Sequence, residues 1–262
     1  MRCAIAVWNF GEEGVLLTDL VDEFADMGYD GVSFLPGQIA KLGDEAVHAL
    51  RDRLDSRELF ATVHGKSHDT RDTIHRVLDA LEDRIVAMTF DGAMTMTSLG
   101  HTHDVATMAA VLRHVEELSR GTDLQFGIED FPLDDVALDH GRDELGPLLE
   151  CPRYGMLVDI GHLNIRRKSG QYFGRVSESE YVANCARRII EVHVHDNDGR
   201  RDLHAPLGDG TTDFAAVAAG LRAVGFDGIS TIEICPAFHD ATPDEDKPKA
   251  ERGLAEWRGV MG

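Results

Sequence analysis

Positive charge is scarce in this chain, and lysine scarcer still. The 262 residues hold 26 Lys plus Arg against 47 Asp plus Glu, a formal net charge of −21, and the lysines are Lys41, Lys66, Lys168, Lys247 and Lys249 alone. Such a surface repels a phosphate backbone, which disfavours nucleic acid as a partner while leaving room for a local basic cleft. Cysteine is sparse too: Cys3, Cys151, Cys185 and Cys235 are widely scattered and form no CxxC, as expected of reduced, buried thiols in a cytoplasmic protein. No window approaches the roughly eighteen apolar residues of a membrane span. The opening MRCAIAVWNF lacks the basic region and long apolar stretch of a signal peptide and reads as a first strand. No GxGxxG follows that strand, and there is no nucleophile elbow, P-loop, HExxH, linker or low-complexity stretch. What remains is a chain with 43% hydrophobic residues, evenly spread, enough to bury a substantial core and too many for disorder.

That hydrophobic content is organised. Short apolar runs alternate with amphipathic segments: 3–9, 31–36, 59–65, 85–91, 125–131, 154–160, 189–196 and 229–235 read as strands. Most are rich in Val, Ile, Phe or Thr and lack in/out alternation, as buried parallel strands do. The stretches 16–30, 44–57, 69–84, 104–120, 142–150, 177–188, 212–224 and 243–260 repeat their apolar residues near 3.6. Leu16, Leu20, Phe24 and Met27 share one helix face, and Ile74, Val77, Leu78 and Leu81 another; Gly28 and Gly225 fit helix ends. Eight such units predict an α/β fold, a single (β/α)8 barrel domain over residues 1–262, with a doubly wound open sheet as the alternative. Loop-like stretches fall at 92–103, 132–142 and 165–176.

In such a barrel the chemistry lies at the C-terminal strand ends. These are Asn9, Pro36, His64, Asp91, Glu129, Asp159, His193 or His195, and Glu233. Carboxylates and imidazoles converging on one axis need a counter-charge, and a divalent metal is the economical one. Asp159 in GMLVDIGH and Glu233 in TIEIC sit inside apolar runs, where an unpaired carboxylate is costly. A donor set of Glu129, Asp159, one histidine and Glu233 suits Mn2+, Co2+ or Zn2+ better than Ca2+. His193 and His195 share one strand face; one is expected on the metal, the other lining the pocket. His162, three residues after Asp159, together with Asp202 and His204, either holds a second cation or hydrogen-bonds a polar substrate. His64 and Lys66, in VHGKS, follow the third strand, and Lys66 either meets an anionic substrate group or lies on the surface. The GDG at 208–210 is either a phosphate cradle or a tight turn. His101 and His103 read as solvent-exposed, and His48, His75 and His114 as structural or surface residues.

At GIEDFP, VDIGHLNI, HVHDNDG with the following D-L-H and LGDG, and TIEICP, in that order, the chain resembles the xylose isomerase-like barrel superfamily over nearly its whole length. That superfamily includes sugar epimerases, hydroxypyruvate isomerase, inosose dehydratase and the endonuclease-four class of abasic-site nucleases. The resemblance implies a metal quartet of Glu129, Asp159, His193 and Glu233. His193 is taken over His195 because the family ligand precedes an acidic residue by three positions, as His193 precedes Asp196; His195 and Asp198 share that spacing. His162 matches a histidine that contacts substrate in the sugar enzymes and a further zinc in the nucleases, and Asp202 and His204 match the other ligands of that zinc. His64 matches a ligand of the remaining nuclease zinc, whose strand-four histidine is here Asp91.

The function this implies is isomerisation or epimerisation of a small sugar, sugar acid or sugar phosphate through an enediolate. Glu129 and Glu233, on opposite strands, serve as acid and base, with His64, Lys66, His195, His162 and Arg200 as substrate contacts. The alternatives are a zinc phosphodiesterase on abasic DNA and a related polyol dehydratase. A small carbohydrate is the expected partner, with no membrane; a homo-oligomer is compatible with all of this.

Overall fold

The computed structural model describes residues 1–11, 14–66, 68–91, 94–97, 100–103, 105–130, 153–168, 177–185 and 188–262. The expected helix at 142–150, the loop 132–142, the end of the 165–176 stretch and Cys151 lie outside them.

The strands are β1 (Arg2–Ala6), β2 (Gly31–Phe34), β3 (Phe60–Gly65), β4 (Ile85–Phe90), β5 (Met94–Thr97), β6 (Gly100–His103), β7 (Gln125–Glu129), β8 (Tyr154–Asp159), β9 (Ile189–Val194) and β10 (Ile229–Ile232). Eight of them close into a parallel barrel in the order β1-β10-β9-β8-β7-β4-β3-β2, while β5 and β6 pair as a separate antiparallel ribbon. The closed order is that of a (β/α)8 barrel and excludes the open sheet. The ribbon occupies the stretch read from the sequence as the loop 92–103. Helices Leu17–Asp26, Asp44–Ser56, Arg71–Leu81, Val105–Leu118, Glu178–Asn184, Phe214–Ala223 and Pro243–Met261 fall within or close to the segments expected for them.

Three boundaries differ in ways that matter for the site. β1 stops at Ala6 and a 3-10 turn, Val7–Phe10, follows, so Asn9 stands beyond the strand. β10 stops at Ile232, which puts Glu233 one residue past the ladder. A helix, Ile160–Lys168, begins directly after β8 where the sequence suggested strand end and loop.

Cys3, Ile5 and Val7 face outward into the main core, between barrel and helices, with Phe10, Phe24, Phe34 and Trp257. Leu16 does not join them; it is 62% exposed, just before its helix, whose buried face is Leu20, Val21 and Phe24. Gly28 and Gly225 end their helices at positive φ. Inside the barrel floor, Ala4, Ala87 and Ile229 pack with Phe60 and Val86. Cys3 and Cys235 are buried and Cys185 half-buried. Among the described residues no helix is long and apolar enough to cross a membrane.

Candidate metal centre and active-site cavity

Parallel pairing sets Asp159 directly beside His193, and His193 beside Thr231; Glu129 ends β7, and Glu233 follows β10. Asp159 is fully buried and heavily held. Its N–H donates to Asp130 Oδ1 at 2.6 Å, and its Oδ1 accepts the backbone N–H of His162 at 2.9 Å. His195 Nε2 lies 2.9 and 3.0 Å from its two oxygens. This last contact explains the glycine of VDIGH: a Cβ on Gly161 would lie 2.0 Å from His195 Cε1, so only glycine lets the ring pack against the helix start.

His193 Nδ1 and Glu233 Oε2 are 2.8 Å apart, yet neither atom makes an aligned hydrogen bond among the described residues. Donor atoms of Glu129, Asp159 and His193 also lie within 4.8 Å of one another, as do those of His195, His204 and Glu233, and of His64, Asp91 and Glu129. Buried ligand atoms gathered this closely suit a shared cation, and this mixture of carboxylate and imidazole suits a first-row divalent metal.

Around this core sit two flanking clusters. On one side Asp202 Oδ2 joins His162 Nε2 at 3.3 Å and His204 Nε2 at 3.1 Å. His162 Nδ1 donates to the Asp130 carbonyl at 2.8 Å. His204 has φ of 44°, a left-handed conformation that a residue with a side chain adopts at a cost, and its ring stacks on that of His195 with centroids 4.0 Å apart. On the other side His64 Nε2 reaches Asp91 Oδ1 at 2.7 Å, the Lys66 ammonium bonds Asp91 Oδ2, and Trp8 stacks over the His64 ring.

The clusters line one cavity of about 470 Å³, within the range of small-molecule sites. Lys66, Asp91, Glu129, Asp202 and Glu233 supply its charge, and Trp8, Leu35 and Phe238 its apolar wall. Burial works against the positive histidines here, but the carboxylates overcome it. Glu233 and Glu191 hold His193 up at about 9, Asp159 and Asp202 hold His195 up at about 9, and Asp159 and Asp202 hold His162 well above its ordinary value. Conversely, burial raises Glu233, yet His193 and His204 bring it down to about 2. Glu129 goes the other way: burial pushes its carboxyl well above the usual range, His162 opposes only in part, and Asp91 adds to the rise.

Not every expected residue is at the cavity. Pro36 is buried at the start of a short helix, and Leu35 faces the cavity in its place. His195 is buried behind the wall, against Asp159. Arg200 is exposed on the turn after β9, its N–H donating to Asp198, and does not line the cavity. The GDG turn proves to be a tight turn whose N–H groups are already used: those of Gly208 and Gly210 donate to Asp196 Oδ2, and that of Thr212 to Oδ1. His48 and His75 are exposed, as expected. Glu129 and Glu233 lie three strands apart around the barrel, not opposite. Trp8, Leu35 and Phe238, which line the cavity, and Asp130, which holds Asp159, escaped the sequence reading.

Sequence and structure comparisons agree with this architecture. The xylose isomerase-like TIM barrel family matches residues 21–258, and the chain belongs to that family. An uncharacterized protein of Methanocaldococcus jannaschii is 22% identical over 236 residues, covering 83% of this chain and 78% of its own. Among solved structures, a D-tagatose 3-epimerase-like protein is 18% identical with a TM-score of 0.73, covering 100% of this chain and 98% of its own. A D-psicose 3-epimerase determined with D-fructose is 13% identical with a TM-score of 0.73, with both chains fully covered. At these identities the structures share the fold.

Proposed function

We propose that this protein is an isomerase or epimerase of a small sugar, sugar acid or sugar phosphate, working with one divalent cation (Mn2+, Co2+ or Zn2+) held by Glu129, Asp159, His193 and Glu233. The observation that carries the reading is the convergence of buried ligand atoms beneath the cavity: those of Glu129, Asp159 and His193 lie within 4.8 Å of one another, with Glu233 Oε2 2.8 Å from His193 Nδ1. A bound cation would polarise a substrate carbonyl and acidify the neighbouring C–H. The chain's own part is proton transfer: Glu129 and Glu233 both border the cavity, and one removes the proton while the other returns it. Standing three strands apart, they address the reacting carbon from different directions, as epimerisation requires; a 1,2-shift needs only one of them, returning the proton to the neighbouring carbon on the same face. His162 and His204, linked through Asp202, are placed to orient substrate hydroxyls, and Lys66 and His64 to bind the far end. Dehydration of a polyol acid begins with the same proton abstraction.

A second reading is a multi-zinc phosphodiesterase on abasic DNA, favoured by the His64–Asp91–Glu129 donor group. Against it, Asp91 is already neutralised by the Lys66 ammonium, and the net charge of −21 opposes a phosphate backbone.

Solvent deuterium exchange over a panel of ketoses, keto acids and their phosphates tests the proposal. The wild type is expected to incorporate deuterium next to the carbonyl and interconvert product, while Glu129→Gln and Glu233→Gln lose interconversion even with excess Mn2+, each keeping at most exchange with the one epimer whose C–H faces the remaining carboxylate. Cleavage of abasic duplex dependent on His162, Asp202 and His204, with no exchange on any sugar, would overturn it.

A further inference from the structure

Glu191 is a carboxyl in the middle of the barrel with no part in the reaction proposed above. It lies two residues before His193 on β9, on the same inward face, and is fully buried. Its Oε1 accepts the Thr231 hydroxyl at 2.5 Å and lies 3.4 Å from the Thr62 hydroxyl, itself 2.7 Å from Ser33 Oγ. Its Oε2 makes no hydrogen bond among the described residues. Just above, His193 Nε2 lies 3.8 Å from Glu191 Oε1 and is likewise without a hydrogen bond. The imidazole therefore stands between two carboxyls, Glu233 at Nδ1 on the cavity side and Glu191 at Nε2 on the barrel side. Buried polar groups left unbonded are costly; here Glu191 Oε1 lies 3.8 Å from the unbonded His193 Nε2, and a shift of roughly one ångström brings that nitrogen into hydrogen-bond range.

We infer that Glu191 is a positioning residue for the metal centre: it takes the Nε2–H of His193, fixes the tautomer whose Nδ1 lone pair faces Glu233, and so sets the site's affinity for a divalent cation. The inference rests on the metal-site reading above. A neutral imidazole has one N–H and one lone pair; an acceptor beneath Nε2 places the proton there and leaves Nδ1 for the cation. Glu191 offers an acceptor oxygen whether or not it is itself protonated, and the Thr231 and Thr62 hydroxyls hold that oxygen in place. Such outer partners orient a ligating histidine and raise its basicity. A carboxyl at the barrel centre adds nothing to packing that an apolar side chain would not do better, so its role is the histidine it faces.

The test measures Mn2+ binding by metal-stripped wild type, Glu191→Gln and Glu191→Leu, together with thermal unfolding of the stripped proteins. Glu191→Leu is expected to weaken Mn2+ binding by about 10- to 100-fold while leaving the stripped protein's Tm unchanged or higher. Glu191→Gln, which keeps an acceptor oxygen, is expected to bind more tightly than Glu191→Leu. Wild-type affinity in Glu191→Leu would overturn the inference, as would a stripped-protein Tm that falls in step with affinity and is no better in Glu191→Gln. If Glu191→Leu does not fold, nitrogen-15 spectra of the His193 ring in Zn2+-loaded wild type decide: a proton on Nε2 supports the inference, and one on Nδ1 refutes it. A wild type that binds no Mn2+ is a different outcome, since it removes the metal-site reading itself.

Discussion

The floor and the mouth of the barrel are built from the same strands by opposite rules. At the floor, space is the limiting quantity. Phe60 and Ile190 fill the axis, and glycine stands wherever they need room: a Cβ on Gly31 would come within 2.5 Å of the Phe60 ring, and one on Gly127 within 3.0 Å of Ile190. At the mouth, charge is limiting. Glu129, Asp159, His193 and Glu233 are each less than 10% exposed; the imidazoles around them balance Asp159 and Glu233 and offset the burial of Glu129 only in part. A few residues along one strand separate the two regimes; β8 runs from Gly155 at the floor to Asp159 at the mouth. The difference teaches that packing at the floor supplies stability, which the mouth spends on burying ligands.

That division has measurable edges. The largest effect is expected at Asp159. Adding Mn2+ at about 100 times its Kd should stabilise the stripped wild type by about 2.7 kcal/mol. Asp159→Asn, which keeps the shape and loses the charge, should weaken binding on the order of 100-fold and cut that gain to about 0.4 kcal/mol at the same Mn2+ concentration. Titration followed by calorimetry and thermal melts checks both, and retained affinity would remove Asp159 from the quartet. The floor gives the next effect. A Cβ on Gly155 would lie 2.4 Å from the Arg188 carbonyl oxygen, a backbone atom that cannot swing aside. Gly155→Ala should therefore cost about 2–3 kcal/mol in urea unfolding, with Mn2+ affinity of the folded protein preserved. Loss of affinity in step with stability would show that floor and mouth are coupled. Smaller, and opposite in sign, is the effect of Glu129→Gln on the stripped protein. Burial already pushes this carboxyl well above its ordinary range, so a neutral amide should leave Tm unchanged or raise stability by about 1 kcal/mol. A clear drop would mean that Glu129 holds the fold together.

The two regions were not equally legible in the sequence. Floor strands were readable because parallel barrel strands are continuous apolar runs. Their ends were overextended, because Ile234 and Cys235 stay buried after the β10 ladder has finished. The helix Ile160–Lys168 was missed because IGHLNIRRK has little apolar periodicity and opens with glycine near its start. At the mouth, carboxylates inside apolar runs announced themselves through the cost of burying them. Trp8, Leu35 and Phe238 did not, since an apolar residue facing a cavity looks in sequence like one facing the core. Glu191 was detectable: in IIEVHVHD it shares the inward parity of His193 and His195. Arg200 shows the converse limit, for a residue in a turn carries no periodicity to say which way it points.

A last effect, at pH 8 of the same small size, lies far from the mouth and tests whether the packed periphery buries a polar group of its own. Tyr29, at the lower rim before β2, donates its hydroxyl to the Ala250 carbonyl at 2.8 Å and so ties the first strands to the last helix. Burial pushes its phenol well above 10. In the unfolded chain the phenol titrates near its ordinary value, about 10, so above that pH the unfolded state releases a proton that the folded state retains. The contribution of Tyr29 is therefore fully present below about pH 10 and is lost as pH rises towards the folded value. Tyr29→Phe removes both the hydrogen bond and the titration. At pH 8 the variant should be less stable by about 1 kcal/mol. Above pH 10 the gap should shrink by up to about 1.4 kcal/mol per pH unit and then reverse. Urea unfolding of both proteins at pH 8, 10 and 11 reads this directly, and other titrating groups cancel in the difference. A gap that stays constant across that range would mean that the phenol ionises as freely in the folded protein as in water, and that this part of the core is open to solvent.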